Sequence, residues 1–158
     1  MKATVFGAGL AGCEAAYQLL KRGVEVTLVE MKPLKKSPAH RMDGFAELVC
    51  SNSLKSDSLT GASGVLKAEL RKLDSLLIRC ADKTSVPAGG ALAVDRYAFS
   101  DCVTAELKKF PNLKTEYRVA DRVADGINII ATGPLTDELF LEEIKSCLLY
   151  TSPSPRDS

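Results

Sequence analysis

Three glycines, Gly7, Gly9 and Gly12, spell G-x-G-x-x-G between a short apolar run, Lys2 to Phe6, and a stretch of helical spacing, Leu10 to Arg22. A second run, "VEVTLV" from Val24 to Val29, follows at once. The string alone is a weak signal. Its setting of strand, glycine turn, helix and strand constrains the fold strongly, because two parallel strands need a crossover between them. Each glycine has a separate task in such a turn. Gly7 permits a tight bend, Gly9 lets the backbone come close to a ligand, and Gly12 lets the helix lie close to the strand. The expected fold class is α/β, built on a parallel sheet.

This geometry suits a diphosphate. The helix start offers free N–H groups and a partial positive charge. Gly7, Ala8, Gly9, Leu10, Ala11 and Gly12 are therefore the candidate cofactor-binding turn. Glu30 ends the second strand, eighteen residues after Gly12. A carboxylate there can accept hydrogen bonds from an adenosine ribose and would repel a 2′-phosphate, which disfavours NADP in this site. The pattern continues to Ala16 and Gly23, a longer fingerprint associated with FAD-binding proteins. "INIIATG", Ile127 to Gly133, reads as a buried strand ending in a turn of the kind that passes close to FAD in two-dinucleotide-binding-domain flavoproteins. Gly133 joins the candidate cofactor residues. The expectation is a Rossmann-like FAD-binding domain; a tight turn without a ligand is the bland alternative.

A chain of 158 residues is long enough for one domain with a real core. The net charge of +1 does not by itself point to a nucleic acid or a membrane. Met31 to Lys72 is locally basic, with eight Lys or Arg against four Asp or Glu, which is most simply a solvated face. Five cysteines without a C-x-x-C pair argue against a zinc site or a disulfide framework. No metal site is expected, and reduced thiols fit a cytoplasmic protein. "LAGC", Leu10 to Cys13, imitates a lipoprotein-type cleavage site, but the apolar run before it is short and interrupted by glycines. No apolar run approaches the roughly 18 residues of a membrane-spanning helix.

Beyond the first unit, Met31 to Ala62 reads as a long loop, with room for at most a short helix. A loop of that length inside a domain is usually functional or disordered. Ser63 to Asp82 reads as one helix, with Val65, Leu66, Leu70, Leu73, Leu76, Leu77 and Cys80 recurring at helical spacing. Val86 to Val94 is extended or turning. Asp95 caps a helix to about Lys109; Leu113 to Tyr117 is a strand, and Leu135 to Ser146 a last helix. Residues 147–158, "CLLYTSPSPRDS", change character abruptly and resemble translated adapter sequence. The expected organisation is a partial FAD-binding domain over residues 1–146 and a non-native tail over 147–158.

Two further stretches narrow the reading. "PAHRMDGFAELVCSNSLKSDSL", Pro38 to Leu59, and "VPAGGALAVDR", Val86 to Arg96, are similar to the folate- and FAD-dependent tRNA (uracil-5-)-methyltransferase family of bacteria. The resemblance runs to about Gly133 and covers roughly the first third of such a protein. It implies an enzyme that takes a one-carbon unit from 5,10-methylenetetrahydrofolate, reduces it with FAD and NAD(P)H, and places it on C5 of the T-loop uridine of tRNA. It also implies that this chain is an N-terminal fragment, inactive alone. The alternatives are the related wobble-uridine flavoprotein, another flavin oxidoreductase, or a non-catalytic dinucleotide-binding module.

That chemistry singles out Cys50. Uracil C5 is a poor nucleophile until something adds to C6, and a thiolate is the usual adduct former. Cys50 sits in a loop beside Ser51, Asn52 and Ser53, which can cap a helix. The family associates this cysteine with the flavin site and methyl transfer. A small buried hydrophobe is the competing reading. Arg41, Lys55 and Arg96 are candidates for folate carboxylate or RNA phosphate contacts. His40, the one histidine, is a candidate contact to phosphate, folate or RNA or a proton carrier, with a plain loop histidine as the alternative. Gly89 and Gly90 suggest a close backbone approach to a ligand. Cys13, Cys80 and Cys102 fit core packing.

Overall fold

The computed structural model describes residues 1–148. β1 (Lys2–Phe6), α1 (Leu10–Lys21) and β2 (Glu25–Glu30) form the expected unit. β6 (Leu113–Tyr117) and β7 (Ile127–Ile130) complete a four-stranded, all-parallel sheet in the order β6-β2-β1-β7. The alternation along β1 and β2 divides the core. Ala3, Val5, Val26 and Leu28 face α1, with Cys13, Ala16, Tyr17 and Leu20 against them. Phe6 and Val29 point to the other face. There they meet Phe140 of α5 (Glu138–Cys147), with the Phe6 and Phe140 ring centroids 4.9 Å apart. A parallel sheet covered on both faces is what βαβ crossovers produce.

A second layer lies beyond α1. Here β3 (Ser53–Ser56), β4 (Ser85–Val86) and β5 (Ala91–Val94) form a small antiparallel sheet in the order β3-β5-β4. α4 (Arg96–Lys108) follows, capped by Asp95, whose carboxylate accepts the Tyr97 and Ala98 N–H groups at 2.9 and 3.0 Å. Phe99, Val103 and Leu107 of α4 are fully buried.

Several expectations change. The single helix over Ser63–Asp82 is two, α2 (Ala62–Lys72) and α3 (Leu76–Lys83). Asp74 between them has φ +55°, a left-handed conformation that ends the first helix. Ser75 caps the second, and the Glu14 carboxylate of α1 accepts from the Ser75 hydroxyl at 2.8 Å and the Leu77 N–H at 3.1 Å. The apolar stripe on α2 does not enter the core: Val65, Leu66 and Leu73 are exposed, and Lys67 is buried instead, donating to the Ser56 and Ser63 carbonyls. The long loop contains a strand rather than a helix. Ser51, Asn52 and Ser53 cap nothing; the Ser51 hydroxyl accepts the Ser53 N–H, and the Asn52 amide donates to the Val94 carbonyl, steering the chain into β3.

The last helix takes in Cys147, one residue past its expected end. The remainder of the expected tail, from residue 149, lies outside the described residues. No helix among them is long and apolar enough to cross a membrane.

Candidate functional site: a cavity at the strand ends

The glycine turn behaves as its spacing requires. Gly7 has φ +94°, and its N–H donates to the Val29 carbonyl at 2.8 Å. A Cβ on Gly7 would lie 2.6 Å from the Ala131 carbonyl oxygen, and one on Gly12 only 1.8 Å from the Gly7 oxygen. No neighbour lies within 4 Å of a Cβ placed on Gly9. Gly7 and Gly12 are thus fixed by the fold, whereas Gly9 borders open space at the start of α1.

That space is a cavity of about 310 Å³ at the carboxyl ends of the parallel strands. Ligands of open α/β sheets bind in this position. Gly7, Gly9, Leu10 and Ala11 form one wall, Glu30 and Met31 the next, and Ala131, Thr132 and Gly133 a third. His40, Glu47 and Val49 close it from the long loop, and Phe140 from α5. The volume is at the low end for ligand pockets, so a dinucleotide would extend beyond these residues.

Glu30 is almost enclosed, at 6% exposure. Its carboxylate accepts the Ala8 N–H at 2.7 Å and the Lys32 N–H at 2.8 Å. The first bond ties the end of β2 to the glycine turn. Each oxygen keeps a further lone pair for a donor in the cavity. The residues therefore fit an adenosine diphosphate: an open glycine at a helix start, and a fixed carboxylate one strand away.

The loop wall rests on a buried ion pair. Lys32 Nζ lies 3.4 Å from Glu47 Oε2, with side chains 3% and 4% exposed, and donates to the Gly44 carbonyl at 2.7 Å. The other Glu47 oxygen accepts the Arg41 and Met42 N–H groups at 2.7 and 3.1 Å. Burial pushes the Glu47 carboxyl up, but those two amides and Lys32 outweigh it and hold the group below its ordinary value. His40 Nδ1 is 2.6 Å from the Ser37 hydroxyl, which fixes the ring beside the cavity.

Of the residues expected to bind cofactor, Gly7, Gly9, Leu10, Ala11, Glu30 and Gly133 line the cavity; Ala8 and Gly12 stand directly behind it. His40 lines it too. Cys50 is exposed and one residue beyond Val49, outside the lining. Arg41 reaches the site only through its main-chain N–H. Lys55 lies on β3 at φ +66° and Arg96 opens α4; neither borders the cavity. Gly89 and Gly90 sit in the β4–β5 hairpin, beside a separate shallow groove, and Gly89 is explained by its φ of +60°. Cys13 and Cys80 are buried, and the half-buried Cys102 thiol lies 3.0 Å from Cys80 Sγ.

Sequence reasoning missed Lys32, Glu47, Arg118 and Phe140. Arg118 had a signal: it directly follows β6, and every parallel strand of this sheet ends at the cavity. Phe140 had none, because nothing in its own helix says which face of the sheet it covers.

The profile of the family described as glucose inhibited division protein A matches residues 2–147. Methylenetetrahydrofolate–tRNA-(uracil-5-)-methyltransferase TrmFO of Exiguobacterium sibiricum is 56% identical over 144 residues, 91% of this chain and 33% of the relative. The protein of that name from Staphylococcus saprophyticus is 59% identical over 140 residues, 89% of this chain and 32% of the relative. The chain thus spans about a third of the length of these relatives. Among solved structures, a GidA-related protein from Thermus thermophilus is similar with a TM-score of 0.42 at 19% identity, over 78% of this chain and 41% of that one. The p-nitrophenol 4-monooxygenase PnpA of Pseudomonas putida gives 0.45 at 16% identity, over 73% and 30%. This chain belongs to the glucose inhibited division protein A family, and within it its sequence is similar to the tRNA (uracil-5-)-methyltransferases just described.

Proposed function

We propose that residues 1–146 are the N-terminal part of the FAD-binding domain of a two-dinucleotide-binding-domain flavoprotein. Its reaction is the transfer of a one-carbon unit from 5,10-methylenetetrahydrofolate to C5 of the T-loop uridine of tRNA, with NAD(P)H as reductant. The observation that carries this reading is the meeting of the glycine turn, the Glu30 carboxylate and the Ala131–Gly133 turn around one cavity. Bound there and reduced by NAD(P)H, the flavin would supply the two electrons that convert the transferred methylene to a methyl group.

The chain's own residues have distinct tasks in this reading. The N–H groups at the start of α1 hold the diphosphate, with Gly9 allowing its approach. Glu30 accepts from the ribose hydroxyls. Phe140 and Val49 exclude water from the cavity. Cys50, exposed beside that wall, is the thiol that can reach a substrate outside it. Arg41, Lys55 and Arg96 lie off the cavity and suit folate carboxylates or tRNA phosphates on the outer surface.

The test uses the full-length enzyme. Methylation of tRNA is expected to require methylenetetrahydrofolate and visible bound flavin, and Cys50→Ala is expected to abolish it while flavin stays bound. Methylation that persists without the folate rejects the proposed reaction. An unchanged rate in Cys50→Ala rejects the role of the thiol.

A further inference from the structure

The Lys32–Glu47 pair is the most enclosed ion pair among the described residues. Its surroundings tie together two parts of the site that are distant in sequence. Lys32 donates its main-chain N–H to Glu30, and Glu30 holds the Ala8 N–H of the glycine turn. Through its ammonium group Lys32 reaches Glu47, the first residue of "ELVCSNS". Next to Glu47, Ala46 is fully buried with φ +51°, a conformation that L side chains rarely adopt. Its N–H donates to the Ala8 carbonyl at 2.8 Å. Phe45 is held on both sides by α4: its N–H donates to the Thr104 hydroxyl at 3.0 Å, and its carbonyl accepts from the Ser100 hydroxyl at 2.6 Å. Residues 44–47 are therefore docked on the glycine turn at both Ala8 polar groups, directly through Ala46 and indirectly through Lys32 and Glu30.

A strained buried residue persists where its neighbours over-determine it, and such residues cluster at ligand clamps and active sites. A hydrophobic pair could fill the volume of Lys32 and Glu47 at least as stably. A hydrophobic pair could not, however, gather the Arg41 and Met42 amides or hold the Gly44 carbonyl.

We infer that Glu47 is a positioning residue: with Lys32 it seats the Cys50 segment on the cofactor turn, so that the turn and the thiol-bearing loop move as one unit. The second readout below rests on the cavity being an FAD site; the first does not.

The experiment compares the wild-type chain with Glu47→Gln, Lys32→Met and the double variant. The first readout is residue-resolved amide exchange without cofactor. Exchange at Arg41, Met42 and Ala46 is expected to rise about tenfold in each single variant, the size a lost charge-assisted hydrogen bond carries. Val5 and Leu28 in the sheet should not change. Because the two side chains act as a unit, the double variant is expected to lose no more than the worse single one. It also leaves no buried charge unpaired, so it decides the question if a single variant fails to fold. Unchanged protection at Arg41 and Met42, or effects that add, overturns the inference. Loss of protection throughout the sheet in the double variant does so too, since the pair would then merely support the fold.

The second readout is alkylation of Cys50, with exposed Cys147 as the internal reference. Saturating FAD is expected to slow Cys50 in the wild type and to leave it unchanged in Glu47→Gln that still binds FAD. Equal protection in both overturns the coupling. A wild-type chain that binds no FAD contradicts the FAD reading for this chain, and the exchange data then decide the positioning role alone.

Discussion

The Glu30 carboxylate holds the Ala8 main-chain nitrogen at 2.7 Å, joining the end of β2 to the loop after β1. Its other oxygen holds the Lys32 nitrogen at 2.8 Å. One acidic side chain thus sets the shape of the turn and presents its remaining lone pairs to the cavity. In the proposed reading, recognition of a ribose and construction of the diphosphate site are then parts of one hydrogen-bonded unit.

Glu30→Gln tests that unit. A carboxamide can accept one of the two N–H groups, but turns its own NH2 towards the other. A hydrogen bond to a charged group contributes about 1.5–3 kcal/mol. Loss of roughly that stability is expected in urea unfolding, with FAD affinity falling about tenfold or more. An affinity equal to wild type would separate Glu30 from the ligand.

Gly9 and Gly12 should respond in opposite ways to alanine. At Gly12 the new Cβ meets a backbone oxygen at 1.8 Å, so helix and turn must part. Overpacking of this kind costs about 1–3 kcal/mol or more. At Gly9 the Cβ enters open space at an ordinary φ of −73°, so the melting temperature should hardly move. FAD binding should nevertheless fall sharply in Gly9→Ala, because the Cβ occupies the diphosphate's approach. Calorimetry and flavin titration on both variants check the contrast.

The same contrast explains what could be read from the sequence. The glycine spacing together with the strand, helix and strand around it lies within one short stretch, so it revealed the βαβ unit and one cavity wall. The break at Asp74 depends on Glu14, sixty residues earlier, whose carboxylate receives the start of α3. Helical spacing runs through Leu73 and cannot register that contact. β3 was invisible for a related reason. It is short, rich in serine and irregular at Lys55, and it exists because β5 offers it an edge. Phe140 and Glu47 were missed because their tasks are defined only by what the folded chain brings to them.

Thiol reactivity should divide by burial. Cys50 is exposed and should react readily with maleimides in the native chain. Burial pushes the Cys13 thiol up to about 12, so it stays protonated and shielded. Cys80 is buried against Cys102, with its thiol also pushed up. Peptide mass spectrometry should show the exposed Cys50 and Cys147 modified in the native chain, and Cys13 and Cys80 only on unfolding. Early labelling of Cys13 would contradict the packing of α1 on the sheet.

Acid should loosen the loop wall. Glu47 is held below its ordinary value of 4.5 in the folded chain, because its amide donors and Lys32 outweigh burial. A carboxyl with a lowered folded value contributes stability that is present above its unfolded value and lost as pH falls through the folded one. Asp137, lowered chiefly by its hydrogen bond from Lys35, acts in the same direction at the start of α5. Urea midpoints should therefore be flat with respect to these groups above about pH 5 and fall below it. In Glu47→Gln the acid-dependent fall should be smaller.

On the proposed reading, FAD occupies the cavity at the strand ends. Residue-resolved amide exchange of the chain during FAD titration tests it most directly. Saturable protection is expected at Gly9, Leu10, Ala11 and Gly133, absent in Gly9→Ala and stronger with FAD than with NADP. Absence of protection at these amides in the wild type, or protection confined to other residues, would contradict it.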